Sequence, residues 1–230
     1  MKNLFSIELS SKTKTLLNLT IFIILIFTFW TIYILFLDFY LKSNTLLYYQ
    51  LFHLGLDKLL LMALPTYIYL VYVEKMKPLS FLKLNRTIKA GLKYVMLSVI
   101  FLTMISLNNQ YQLLNYINFN PFLPISIWID AIISAAFMDE IIFRGIILQK
   151  LASLTTFKQA NILSTLLFVF IHFPKWFSIG YFSHFNLIGS INFIFWFGLL
   201  MGYVLKKSNS LWPCIWIHLA NNFISYSLNL

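Results

Sequence analysis

The chain has 230 residues, 60% of them hydrophobic and 10% charged, with a net charge of +10 and a mean hydropathy of +0.81. Soluble domains carry about 25% charged residues, so lipid rather than water must surround most of this chain. Its single cysteine, Cys214, excludes an internal disulfide and a cysteine-rich zinc or iron–sulfur centre. In lipid every backbone N–H and C=O pairs internally, which leaves helices or a closed barrel. Runs such as 21–30 and 193–200 are apolar without alternation, unlike barrel strands, so helices are expected.

Seven stretches approach the roughly 20 apolar residues that a crossing needs: 16–39, 51–73, 91–107, 122–148, 158–173, 188–205 and 210–228. The expected fold is all-α, a polytopic transmembrane bundle of about seven spans. It divides into N-terminal helices over 1–120 and a core over 121–230, joined in one bundle. The first span follows Lys2, Lys12 and Lys14, is too long for a signal h-region and lacks a small-residue cleavage site, so it is expected to be retained. Lysine and arginine accumulate in cytoplasmic loops, and this tests the map. With the N-terminus inside, the inner segments hold Lys2, Lys12, Lys14, Lys75, Lys77, Lys83, Arg86, Lys89, Lys93, Lys150, Lys158, Lys206 and Lys207; the outer ones hold Lys42 and Lys175. Lys58 and Arg144 fall within spans. Thirteen against two predicts an N-in, C-out orientation. The basic stretch 75–93 is expected along the inner surface, against anionic lipid headgroups. Topology accounts for the positive charge, and no basic face with interleaved aromatics suggests a nucleic-acid partner. Trp30, Trp128, Trp176 and Trp212 fit interfacial belts. Asp57, Lys58 and Asp130 fall near outer span ends and suit mutual pairing or snorkelling. His53 and His184 fall at outer interfaces. Richness in Leu, Ile, Phe, Lys and Asn suits an AT-rich bacterial genome, hence a bacterial cytoplasmic membrane.

Ionisable groups inside a span are costly and mark function by default. The fourth span carries Asp139, Glu140 and Arg144, the fifth His172, and the seventh His218, Asn221 and Asn222. Glu140 and Arg144 stand i, i+4 and can pair on one face. Asp139 is turned about 100° from that face and is the freer carboxylate. His218 and Asn222 share a face by the same spacing, as do Phe168 and His172. At about 1.5 Å per residue, Asp139, His218 and His172 lie roughly 14, 12 and 21 Å from the inner ends of their spans, near enough to meet. A buried carboxylate gains general-base strength, a neighbouring histidine can hold a water, and a second histidine with an amide can face an oxyanion. Together they describe amide hydrolysis.

At these residues the sequence resembles the CAAX-protease and bacteriocin-processing (CPBP, or Abi) family. Asp139-Glu140-Ile141-Ile142-Phe143-Arg144 resembles its Glu-Glu-x-x-x-Arg motif. Phe168-Val169-Phe170-Ile171-His172 resembles its Phe-x-x-x-His, and His218-Leu219-Ala220-Asn221-Asn222 its His-x-x-x-Asn. The likeness covers about 122–226. It implies an intramembrane endopeptidase open toward the cytoplasm, acting on a membrane-associated peptide or protein. Bacterial relatives are linked to bacteriocin immunity and peptide-signal maturation. By motif position Asp139 activates water and His172 assists; His218 with Asn222 forms the oxyanion side, and Glu140, Arg144 and Phe168 support the site. The family has Glu where this chain has Asp139, so three outcomes stand open: a compensating shift, Glu140 turning inward, or a scaffold without activity. No cofactor is required; zinc on His172, His218 and Glu140 is the alternative, leaving a glutamate-type and a metallo-type enzyme both open. A non-catalytic partner-binding member and a proton-relay transporter compete with the peptidase; absence of an internal repeat disfavours the transporter.

Overall fold

The computed structural model describes residues 2–38, 56–180 and 187–228, with side chains from residue 11 onward. Lys42, His53 and His184 lie outside the described residues. Among the described residues there is no strand, and every apolar stretch named above is mainly helical. Helix α1 (Lys2–Ile32) continues in π geometry through Tyr33–Leu37. It is followed by α2 (Leu59–Val73), the short α3 (Pro78–Phe81) and α4 (Leu92–Leu114). The long α5 covers 125–154. Then come α6 (Phe157–Phe170), α7 (Phe173–Ser178), α8 (Leu187–Ser208) and α9 (Trp212–Ser227).

Among the described residues four helical stretches are long and apolar enough to cross a membrane: Ser11–Leu37, Lys89–Leu114, Phe157–Ser178 and Leu187–Ser208. The others differ for readable reasons. Helix α9 has 16 residues and Leu59–Val73 is likewise short, whereas α5 is interrupted by Asp130, Asp139, Glu140, Arg144 and Lys150.

Helix α4 shows what solvent the bundle is built for. Ser98, Leu102, Ser106 and Gln110, spaced four apart, are buried. Met96, Leu97, Ile100, Phe101 and Met104 are each more than half exposed. Water would reverse that pattern, and hydrocarbon accounts for it. The helix runs seven residues beyond the expected 107 and stops where Asn115 takes a left-handed conformation, its N–H returning to the Tyr111 carbonyl.

Small residues let α5, α6 and α8 approach closely, as membrane helices require. A Cβ on Gly198 would stand 2.7 Å from Thr165 Cγ2. Ser164 Oγ donates across to the Phe143 carbonyl at 2.8 Å. Around these contacts Ile142, Phe143, Ile146, Phe168 and Met201 form a fully buried core.

The bundle has two distinct ends. At one, Glu74 pairs with Lys150 and accepts from Asn18, Gln149 donates to the Phe81 carbonyl, and Trp212 Nε1 donates to the Leu84 carbonyl at 2.9 Å. The basic stretch 75–93 and the helix ends carrying Lys150, Lys158, Lys206 and Lys207 gather here. At the other end Lys58 pairs with Asp130 and Asp57, and Lys175 with Asp38 at 3.5 Å. Pairing is thus what holds Asp57, Lys58 and Asp130.

Two tryptophans depart from a lipid-facing belt. Trp176 is buried against the rings of His172 and Phe173, and Trp212 pins α9 to the chain after α3. An indole N–H needs an acceptor, which explains the second placement.

Candidate active site

Three elements bring the polar residues together. In α5, π geometry covers Trp128–Ser134 and Glu140–Leu148, with Asp139 ending the α-turn between them. Such widened turns are frequent at functional sites, though here they also occur at Tyr33–Leu37, Leu59–Ala63 and Tyr69–Val73. Helix α6 starts at a capping box, in which Thr156 Oγ1 accepts from Gln159 N and Gln159 Oε1 accepts from Thr156 N. It ends at Phe170, and His172 is the N-cap of α7, at the turn that joins the two helices of the Phe157–Ser178 stretch. Pro174 sits in the first turn of α7, where a missing N–H breaks no bond. In α9 Pro213 fills the same role. His218 and Asn222 follow one turn apart.

Glu140, Arg144 and His218 form the buried half of the site. Arg144 Nη1 donates to Glu140 Oε1 at 3.2 Å, and His218 Nδ1 lies 2.9 Å from the same oxygen. Glu140 is fully buried, and Arg144 nearly so. The guanidinium stacks 4.2 Å from the centroid of the Phe168 ring, which meets His172 and His218 edge-on at 5.0 and 6.1 Å. The predicted i, i+4 pairings of Glu140 with Arg144 and Phe168 with His172 are therefore both present. Glu140 Oε2 and Arg144 Nη2 are buried with no hydrogen-bond partner among the described residues.

The open half faces a cavity of about 330 Å³, lined by Asp139, His172, His218 and Asn222. Away from these residues it extends past Tyr33 and Asp57 to Lys58, Asp130 and Lys175. His172 Nδ1 lies 2.7 Å from the Phe168 carbonyl oxygen. A carbonyl can only accept, so this nitrogen carries the proton and the lone pair of the neutral ring sits on Nε2. Asn222 Nδ2 donates to the Ala131 carbonyl at 2.9 Å, which fixes the amide and leaves its second N–H uncommitted to that bond. Asn221 Nδ2 reaches Asn222 Oδ1 at 3.5 Å.

A second cavity of about 780 Å³ lies on the opposite side of the histidines, between α4 and α8. Ser106, Asn109, Trp176, Phe193, Phe197 and Asn221 line it, and it shares His172, His218 and Asn222 with the first. Asp139 borders the first cavity alone. Sequence reasoning missed Phe197, whose ring packs 5.1 Å from His218; a phenylalanine in an apolar span carries no signal. It also missed the cavity-lining position of Tyr33, Lys58 and Asp130, since charged groups near span ends read as interfacial.

Among the described residues no three of His, Cys, Asp and Glu are grouped to hold a metal ion. Glu140 Oε1 is engaged by both Arg144 and His218, and His172 and His218 each turn Nδ1 toward an oxygen. No step below uses a metal. Cys214 is fully buried, its Sγ donating to the Met201 carbonyl at 3.3 Å, and has no place in the site.

A buried carboxylate–guanidinium–imidazole knot thus stands beside a cavity lined by a second carboxylate. Residues 120–224 match the family described as Type II CAAX prenyl endopeptidase Rce1-like. That segment holds all three motifs by which the sequence resembles the CAAX-protease family. No curated protein and no solved structure matches it.

Proposed function

We propose that the chain is an intramembrane endopeptidase that cleaves a membrane-associated peptide or protein, with Asp139 as the base. The observation that carries this reading is one cavity lined by Asp139, His172, His218 and Asn222, supplied by separate elements. Water in the first cavity gives one proton to Asp139, while its other O–H stays intact and donates a hydrogen bond to His172 Nε2. The water oxygen attacks the scissile carbonyl carbon, presented from the second cavity. Negative charge then develops on the carbonyl oxygen, which faces His218 and Asn222. Because Nδ1 of His218 is directed at Glu140, donation from Nε2 requires a protonated ring. Glu140 fixes the orientation of that ring, and Arg144 holds Glu140 in place. Collapse breaks the C–N bond, and the amine leaves with the proton held by Asp139. The reading extends to the processes that the resemblance implies for bacterial relatives, bacteriocin immunity and peptide-signal maturation.

One observation favours a second reading, a scaffold without catalysis: Asp139 is one methylene shorter than the family's Glu, and a displacement near 1 Å can cost about a hundredfold in rate. Mapping new N-termini of membrane proteins in cells carrying the chain tests both. Termini that vanish in Asp139→Ala, His172→Ala and His218→Ala are expected. Identical termini from all three variants, folded in the membrane, would sink the peptidase. A stronger set of termini in Asp139→Glu would mark a weakened enzyme.

A further inference from the structure

The resemblance implies a site open toward the cytoplasm, but the cavities and the charges point elsewhere. The two ends of the bundle differ sharply. The end joined by Glu74–Lys150 and Trp212–Leu84 carries the lysine-rich stretch 75–93 and the basic helix ends. The opposite end holds three aspartates, Asp38, Asp57 and Asp130, against Lys58 and Lys175. Cationic loops stay in the cytoplasm. The lysine-rich end is therefore the inner one.

Both cavities lie in the other half of the bundle. From Asp139 and His172 the first extends to Asp38, Asp130 and Lys175, at the acidic end. The second is lined by the last third of α4, from Ile105 to Leu113, and the first two turns of α8, from Ile188 to Ile194. Those segments adjoin the same end, where Gln110 is hydrogen-bonded to the Asn118 carbonyl and backbone N–H. No residue of 75–93 lines either cavity. Between the site and the inner face stand Ile142, Phe143, Ile146 and Ile147, all buried.

We infer that the site is reached from the extracytoplasmic side, so its substrate is an outer-leaflet or exported membrane-associated polypeptide and not a cytosolic lipidated protein. The larger cavity opens between α4 and α8 beside exposed apolar residues such as Met104 and Ile188, a route for an apolar segment arriving in the membrane plane. The smaller, charge-lined cavity suits water. This inference rests on the proposed peptidase only for the word substrate; the direction of access stands on geometry and charge.

Cysteine labelling tests it. In a Cys214→Ser background, Ala135→Cys places a thiol in the first cavity, Asn109→Cys in the second, and Ser80→Cys at the basic end. A membrane-impermeant maleimide applied to intact bacterial cells is expected to label Ala135→Cys and Asn109→Cys at least tenfold faster than Ser80→Cys. The ranking should reverse for Ser80→Cys in everted vesicles. Cavity positions that label only in everted vesicles would overturn the inference. So would cavity positions that never label while the unfolded chain labels fully. Adding Asp139→Asn should leave the labelling pattern unchanged, which separates a failed access model from a failed peptidase: the first shows in the maleimide, the second only in the N-termini.

Discussion

Two of the acid–base pairs buried in this bundle have different consequences. Glu74 pairs with Lys150 at the basic end; Glu140 pairs with Arg144 and His218 at its centre. Both join residues that would be costly alone in a membrane. The first pair borders neither cavity and clamps α2 to α5. The second stands behind histidines that line two cavities, with a further carboxylate, Asp139, beside them. Burial and pairing are common to both and do not identify a site. What distinguishes the centre is that His172, His218 and Asn222 border both cavities.

The largest test of that distinction is chemical. Asp139→Asn should lower cleavage by about 10²–10⁴-fold, the usual contribution of a general base, with melting temperature in detergent little changed. Lys150→Met, at the other pair, should leave the cleavage of folded protein unchanged. A loss of similar size from Lys150→Met, with the fold intact, would break the comparison.

Arg144→Met probes the centre structurally. Removing one partner of a buried ion pair costs about 3–5 kcal/mol, because the other charge is left uncompensated. Here His218 also touches Glu140, so the loss should fall toward the lower bound. Arg144→Met with Glu140→Gln should recover part of the stability but not the activity; thermal unfolding and cleavage measured on the same samples separate the two.

These contrasts show which parts of the molecule a sequence can expose. Glu140–Arg144 and Phe168–His172 were legible because i, i+4 spacing brings residues together on any helix-like turn. The meeting of Asp139, His172 and His218 was legible only through depth along three spans, because ionisable groups in lipid are rare enough to point at one another. The break at His172 was obscured by the apolar run on both sides of Pro174. The contact of His218 Nδ1 with Glu140 was not legible either: it depends on the rotation of α9 against α5, which no local pattern encodes. Nor could the two cavities be read, since they are spaces between helices. The orientation expected for the basic end, by contrast, rests on counting lysines alone.

Packing around the centre gives a smaller effect. A Cβ on Gly198 would press Thr165 Cγ2 at 2.7 Å and approach Arg144 Nη2 at 3.3 Å. Gly198→Ala should destabilise by about 1–3 kcal/mol, the usual cost of overpacking. Thr165→Ser in the same chain removes the offending methyl and should restore most of the loss in thermal unfolding. If the double variant is no better than the single one, the strain lies at Arg144, and the guanidinium is held more tightly than its single bond to Glu140 implies.

The smallest effect belongs to the Glu74–Lys150 pair, and pH reveals it. Burial pushes the Glu74 carboxyl up, but the hydrogen bond and charge of Lys150, with help from Asn18 and Tyr69, outweigh it and hold the group below the usual carboxylate range. A carboxyl titrating lower in the folded chain than in the unfolded one binds its proton more weakly when folded. Its stabilising contribution is therefore whole above the unfolded value, about pH 4.3, and is lost as pH falls through the lower folded value. Glu74→Gln should flatten the acid limb of a stability–pH curve and leave the neutral-pH cleavage rate of the folded protein alone. A change in that rate would mean that the clamp between α2 and α5 reaches the centre after all, through the α5 segment that joins Lys150 to Arg144.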